Sequence, residues 1–188
     1  MNKKIFSLGL LLALFTLPLF SNSGVEFGIG SGYVFYGDKE TKNRNKALGD
    51  INQTIFCMDA LLLMPMNKQL VFSVGGDAVF DFRWQGSDHI YLMDYALLAG
   101  FRVYPNLGGL YASVDYALGR RTDVISFDDH DQTQKSCWGN GFKFALAYDF
   151  SYHLNSIAPV ICASLKSMPR GGSRDNIFCV SVKLSMHD

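Results

Sequence analysis

The sequence predicts an all-β protein, an eight-stranded antiparallel up-and-down transmembrane β-barrel. Three observations predict it. Past Gly24, apolar residues recur at every second position with no helical spacing of useful length. No stretch beyond that point offers the roughly 18 continuous apolar residues of a helical span, so any membrane embedding falls to strands. Charged residues of the alternating segments take one parity, and bulky aromatic residues take the other.

Composition sets the frame for these patterns. The 188 residues suffice for one domain with a sizeable core. Lys and Arg number 17 against 17 for Asp and Glu, which excludes the basic footprint of a nucleic-acid binder. Charged residues make up 18% of the chain, below the roughly 25% of ordinary soluble domains, while aromatics reach 14%.

Residues 1–23 read as a secretory signal peptide. Lys3 and Lys4 precede an apolar run from Ile5 to Phe20, and Ser21-Asn22-Ser23 supplies a small-x-small cleavage site. The run is shorter than the roughly 20 residues of a membrane anchor and no basic stop-transfer cluster follows. Residues 24–188 are then the barrel.

Eight alternating segments follow in order. GVEFGIGSGYVFYG sets Val25, Phe27, Ile29, Tyr33 and Phe35 against Glu26, Gly28, Gly30 and Gly32. TIFCMDALLLM opposes Phe56, Met58, Ala60, Leu62 and Met64 to Cys57 and Asp59. VFSVGGDAVFDFRW places Phe72, Val74, Phe80, Phe82 and Trp84 opposite Ser73, Asp77, Asp81 and Arg83. YLMDYALLAGFRVY sets Tyr91, Met93, Tyr95, Leu97, Phe101 and Val103 against Asp94, Gly100 and Arg102. LYASVDYALGR opposes Leu110, Val114, Tyr116 and Leu118 to Ser113, Asp115 and Gly119. CWGNGFKFALAYDF aligns Trp138, Phe142, Phe144, Leu146, Tyr148 and Phe150 against Gly139, Gly141, Lys143 and Asp149. SIAPVICASLK sets Ile157, Ile161 and Leu165 against Cys162, Ser164 and Lys166, with Pro159 removing one ladder amide. IFCVSVKLSM closes the series, with Phe178, Val180, Val182, Leu184 and Met186 opposite Cys179, Ser181, Lys183 and Ser185.

The connections differ by side. PMNK, PNLGG and the SYHLN region read as tight turns. Gly37–Asp50, Arg120–Lys135 and Ser167–Asn176 read as longer polar loops, with the short QGSDH link on the same rim. Short turns on one rim and longer loops on the other suit an outer-membrane barrel with both termini on the periplasmic side.

Volume decides which face meets lipid. Glu26, Asp59, Asp77, Asp81, Arg83, Asp94, Arg102, Asp115, Arg121, Lys143, Asp149, Lys166 and Lys183 all take the polar parity. Eight strands enclose space for side chains or one small ligand. The apolar parity, with both tryptophans and many Phe and Tyr, would overfill it. The polar parity, rich in Gly, Ala and Ser, fits a cramped lumen. Aromatics also gather toward strand ends: Tyr33, Phe35, Trp84, Tyr91 and Trp138 at the loop rim, and Phe101, Tyr148 and Phe150 at the turn rim, an arrangement expected of two interfacial girdles.

Segments such as VFSVGGDAVFDFRW and FCVSVKLSM make the chain resemble the small eight-stranded outer-membrane barrels of the OmpX, OmpW and OmpA membrane-domain type. The resemblance is architectural and covers Gly24 to Met186. It implies the outer membrane of a diderm bacterium, contact with outer-membrane lipids and a monomer. Members of that group usually end in an aromatic residue, whereas this chain ends Met186-His187-Asp188.

Function is read from the lumen and the loops. Nearly balanced inward charges suggest a plug of ion pairs, with Asp115 and Lys143 adjacent on neighbouring strands. The role expected is envelope structure, or surface interaction with an extracellular ligand through the two long loops, Gly37–Asp50 and Arg120–Lys135. A narrow passive channel of the OmpW kind is the alternative. A lipid-acting enzyme comes third: Ser87, Asp88, His89 and His130 are the residue types, but three consecutive residues do not make a convergent triad. Asp128, Asp129, His130 and Asp131 read as an acidic surface loop rather than a cation site. Cys57, Cys137, Cys162 and Cys179 read as small thiols on or near the inward parity. No metal or cofactor and no nucleic acid is expected.

Overall fold

The computed structural model describes residues 23–47, 51–105, 108–127, 130–150 and 157–186. The signal-peptide reading, the SYHLN turn and the carboxy-terminal His187-Asp188 lie outside them. The elements are β1 (Gly24–Phe35), α1 (Lys39–Ala47), β2 (Asn52–Pro65), β3 (Leu70–Gln85), β4 (Asp88–Val103), β5 (Leu110–Phe127), β6 (His130–Lys135), β7 (Gly139–Asp149), β8 (Ile157–Arg170) and β9 (Ser173–Met186).

All pairings are antiparallel between ring neighbours, and the ring closes. β1 pairs with β9 from Val25↔Met186 to Phe35↔Asn176, and β4 pairs with β5, so no sheet edge is left open around the ring. β6 pairs with the outer end of β5 and β7 with its inner part, so the two trace a single descending strand. Between them Ser136, Cys137 and Trp138 stand opposite only Arg120 and Arg121, a bulge of one residue. Nine strand segments therefore make the eight ring positions expected from the sequence.

Two of the expected loops are extended strand instead. Arg120–Lys135 is the β5–β6 hairpin, with the ladder reaching Phe127↔His130. Ser167–Asn176 is continuous β8–β9 ladder up to Arg170↔Ser173, turned by Gly171-Gly172 with Gly171 at φ 70°. The cause is common to both. Beyond the lipid-facing band the outward strand face meets water and the inward face carries buried ion pairs, so hydrophobic alternation fades while the ladder hydrogen bonds continue.

The third expected loop, Gly37–Asp50, contains α1. Asp38 caps it: the carboxylate accepts from the Thr41 backbone N–H at 2.8 Å and from the Thr41 hydroxyl at 2.8 Å. Glu40 in the first turn and Arg44 and Lys46 in the last complement the helix dipole. Thr41 and Asn45 are buried against the barrel mouth.

The two barrel faces divide as the alternation requires. Leu97, Ile29 and Ile157 point outward, 64%, 62% and 58% exposed, within a band that also carries Phe27, Phe142, Phe144, Leu146 and Val182. An apolar surface so continuous is far beyond what a soluble monomer presents. Inside, the ionic groups share the lumen with three apolar clusters. The outermost is built on Val34, Ile55, Val79, Ile90, Leu92 and Ile177, the middle one on Leu61, Leu63, Leu98 and Met168, and the innermost on Tyr111, Ala147 and Val160. These come from runs such as ALLLM and YALLAG, where both parities are apolar and the inward set is hidden.

Candidate functional site

At the inner end Glu26 of β1 and Arg102 of β4 meet across the lumen. Two parallel bonds, 2.7 and 2.8 Å, join guanidinium and carboxylate, and the side chains are 2% and 0% exposed. The Tyr111 ring lies 4.9 Å beneath the Arg102 guanidinium.

From this pair a run of charges alternating in sign climbs the barrel. Lys183 of β9 lies 3.1 Å from Glu26 and 2.9 Å from Asp59 of β2. Lys143 of β7 lies 3.4 Å from Asp59 and 3.1 Å from Asp77 of β3. Lys166 of β8 continues it, 2.6 Å from Asp77 and 2.9 Å from Asp94 of β4. Arg170 of β8 bonds Asp94 and the Gly119 carbonyl, and its Nε lies 3.9 Å from Asp175 of β9. Arg121 of β5 joins Asp175 to Asp123, and Arg44 of α1 reaches Asp123 at 2.6 Å. Every second member is a cation, so each buried charge has an opposite charge on at least one side, the condition for keeping ions out of water. Beside Asp59, Asp77, Lys143 and Lys166 the lumen retains a void of about 10 Å³, the lower bound for a single water.

The outer mouth is polar and roofed by α1. A cleft of about 570 Å³ lies among Asp38, Thr41, Arg121, Asp123, Gln134 and Arg170. Arg121 spends its donors on Asp123, Asp175 and the Thr41 hydroxyl, and Arg44 also donates to Gln134 at 2.9 Å. Just past β1, Tyr36 donates to Asp81 at 2.7 Å. Burial, with the Asp81 carboxylate beside it, pushes the Tyr36 phenol well above its usual range, so the proton stays in that bond.

The structure places the inward charges singled out from sequence as follows. Glu26, Asp59, Asp77, Asp94, Arg102, Lys143, Lys166 and Lys183 belong to the alternating run. Asp81 and Arg83 form a satellite pair at 2.8 Å, to which Gln53 also donates. Asp149 is buried and accepts from the Tyr104 hydroxyl at 3.2 Å. Asp115 and Lys143 are register partners on β5 and β7, but their bonds diverge. Asp115 accepts from Ser73 and Ser113, while the Lys143 ammonium reaches across the lumen to β2 and β3. A long stem lets lysine choose two carboxylates over the single one beside it.

Arg121, already placed on the polar parity from sequence, completes the run together with Asp123, Arg170 and Asp175, which were not singled out. They continue the inward parity of β5, β8 and β9 past the point where alternation fades, and extending that parity would have found them. Nothing in the sequence marks Arg44. Of the aromatics, Tyr33, Phe35, Trp84, Phe101 and Trp138 are exposed, and Tyr91, Tyr148 and Phe150 half-buried. Arg120 also takes the outward parity, its guanidinium 5.8 Å from the Trp138 ring centre.

The cysteines depart from the expectation of free thiols. Cys57 and Cys179 form a disulfide between β2 and β9, the two strands flanking β1, with Cα atoms 6.8 Å apart. Their register partners on β1 are Gly30 and Gly32, whose missing side chains leave room for the bridge to pass over that strand. Strand neighbours two places apart are invisible to a sequence reading. Cys162 is free and buried, and Cys137 is free and exposed. The residues weighed for catalysis do not converge: His89 Nδ1 lies 3.1 Å from the Ser87 backbone oxygen, and His130 and Asp131 are exposed. Asp128 and Asp129 lie outside the described residues.

The sequence family described as the OmpA-like transmembrane domain matches residues 19–160. The fold is similar to Ail, the attachment invasion locus protein of Yersinia pestis, at 12% identity and TM-score 0.58 over 88% of this chain and 98% of that one. It is also similar to Neisserial surface protein A, at 11% identity and TM-score 0.52 over 88% of this chain and 96% of that one. A second structure of Ail, in complex with the heparin analogue sucrose octasulfate, matches at 13% identity and TM-score 0.52, covering 88% and 98% of the two chains. No curated protein sequence matches the chain.

Proposed function

The chain belongs to the OmpA-like transmembrane domain family, and from that premise we propose that it is a closed, non-conducting and non-enzymatic outer-membrane barrel. Its strands anchor in lipid and its outer crown acts in envelope structure or in contact with an extracellular ligand. What supports this reading is the alternating run of paired, buried charges from Arg102 to Arg44 inside the barrel. The void beside Asp59, Asp77, Lys143 and Lys166, about 10 Å³, has room for no more than a single water. The aromatic residues at the two rims serve as interfacial girdles.

The crown consists of α1 and the outer ends of the β3–β4, β5–β6 and β8–β9 hairpins. Ail was solved with a sulfated sugar, and a comparable polyanion would meet Lys39 and Lys135 beside the cleft here. The deeper cations, Arg121 and Arg170, are already held by carboxylates.

Planar-bilayer recording tests the proposal. The purified protein is expected to give no sustained current, whereas stable openings of uniform conductance would replace a plug with a pore.

A further inference from the structure

A second feature of the outer rim faces lipid rather than the lumen. At the outer ends of β2, β3 and β4 an open groove of about 640 Å³ is lined by Thr54, Phe82, Trp84, Gly86, His89 and Tyr91. The rings are in mutual contact: Tyr91 stacks on His89 with centres 4.5 Å apart and meets Phe82 edge to face at 5.2 Å. Phe82 continues inward to Phe80 at 5.9 Å, and Phe80 to Phe56 at 6.3 Å. The ladder thus runs from the polar rim down into the apolar band.

Its two ends differ in chemistry. The inner rings offer only hydrocarbon contact. At the outer end, the polar tips of Thr54, Trp84 and Tyr91 hydrogen-bond to no other side chain or backbone group among the described residues. His89 uses Nδ1 on the Ser87 carbonyl, which leaves Nε2 for another partner. No charged side chain lines the groove, so a phosphate would find no counter-ion there. An occupant must be apolar at one end, uncharged and rich in hydroxyls at the other, and must arrive from the lipid with which the groove is continuous.

We propose that this groove holds an uncharged glycolipid of the outer leaflet. Its sugar ring lies on Trp84 and Tyr91, shares a hydrogen bond with the Thr54 hydroxyl and donates one to His89 Nε2, and an acyl chain follows Phe82, Phe80 and Phe56. The site rests on the membrane orientation proposed above.

Trp84 is its own reporter, because the chain has 2 tryptophans and W138F leaves it alone. The W138F chain is placed, one copy per disc, in phosphatidylcholine nanodiscs doped with a glucosyl diacylglycerol bearing dibrominated acyl chains. A parallel sample carries the same amount of dibrominated phosphatidylcholine. The glycolipid is expected to quench Trp84 about threefold more strongly than the phosphatidylcholine. In T54V/H89L that preference disappears while quenching by phosphatidylcholine persists. Equal quenching by the two lipids in the W138F chain overturns the site and leaves the membrane orientation intact. No quenching by either overturns the orientation itself. A preference that appears only with two copies per disc assigns the groove to a second chain and overturns the glycolipid.

Discussion

At the inner end of the lumen, Arg102 and Glu26 come from β4 and β1, strands that ladder hydrogen bonds fix on both sides. At the outer end Arg44 reaches Asp123 from α1, a helix tied to the ring by the connections before and after it. The inner pair is 2% and 0% exposed, the outer pair 12% and 5%. The same chemistry therefore has different weight at the two ends. A dry pair on rigid supports is costly to break and cheap to replace whole, whereas a wetter pair on a helix contributes little to stability and mainly positions that helix.

The largest effect is expected at the inner end. R102M strips the buried Glu26 carboxylate of its bidentate partner, leaving it only the Lys183 ammonium at 3.1 Å, and is expected to lower unfolding free energy by about 3 kcal/mol, read by urea unfolding from lipid vesicles. The double replacement E26Q/R102M recovers most of that loss. If the single change cost under about 1 kcal/mol, the two ends would not differ in the way described.

The disulfide comes next. It closes 122 residues of sequence and straddles the β1–β9 seam at which the ring is completed. Its removal in C57S/C179S is expected to cost about 2–4 kcal/mol in the same assay, and the wild-type chain is expected to lose a similar amount on reduction.

At the outer mouth R44Q is expected to change global stability by about 1 kcal/mol or less. Hydrogen exchange of α1 should nevertheless quicken, because the helix loses its tie to Asp123 and Gln134.

The smallest effect is one of pH. Hydrogen bonds from the Thr41 backbone N–H and then its hydroxyl hold the Asp38 carboxyl below the usual range. A depressed folded value means that the stabilisation is present above the unfolded pKa and is lost as pH falls through the folded one. Faster exchange in α1 is therefore expected below about pH 4, and exchange in α1 independent of acid would count against the cap.

The difference between the ends also explains what could be read from sequence. VFSVGGDAVFDFRW and its counterparts revealed the strands because lipid on one side and a crowded lumen on the other impose a period of two. Where β5, β6, β8 and β9 rise past the lipid that contrast ends, and polar sequence such as HDQTQK read as loop although it is ladder. α1 has no apolar stripe, so its segment read as part of the polar loop Gly37–Asp50. The partners of Lys143 and the Cys57–Cys179 bridge depend on which strands lie near each other across a closed ring, and alternation along one strand carries no such information.

The protein supplies its own probe of the closed lumen, since Cys137 is free on the outer crown and Cys162 is free and buried inside. A small water-soluble methanethiosulfonate reagent applied to the oxidised protein in lipid vesicles should label Cys137 alone, and Cys162 only after denaturation. Rapid labelling of Cys162 in the folded protein would mean that water and solutes enter the barrel, contradicting a lumen sealed by paired charges.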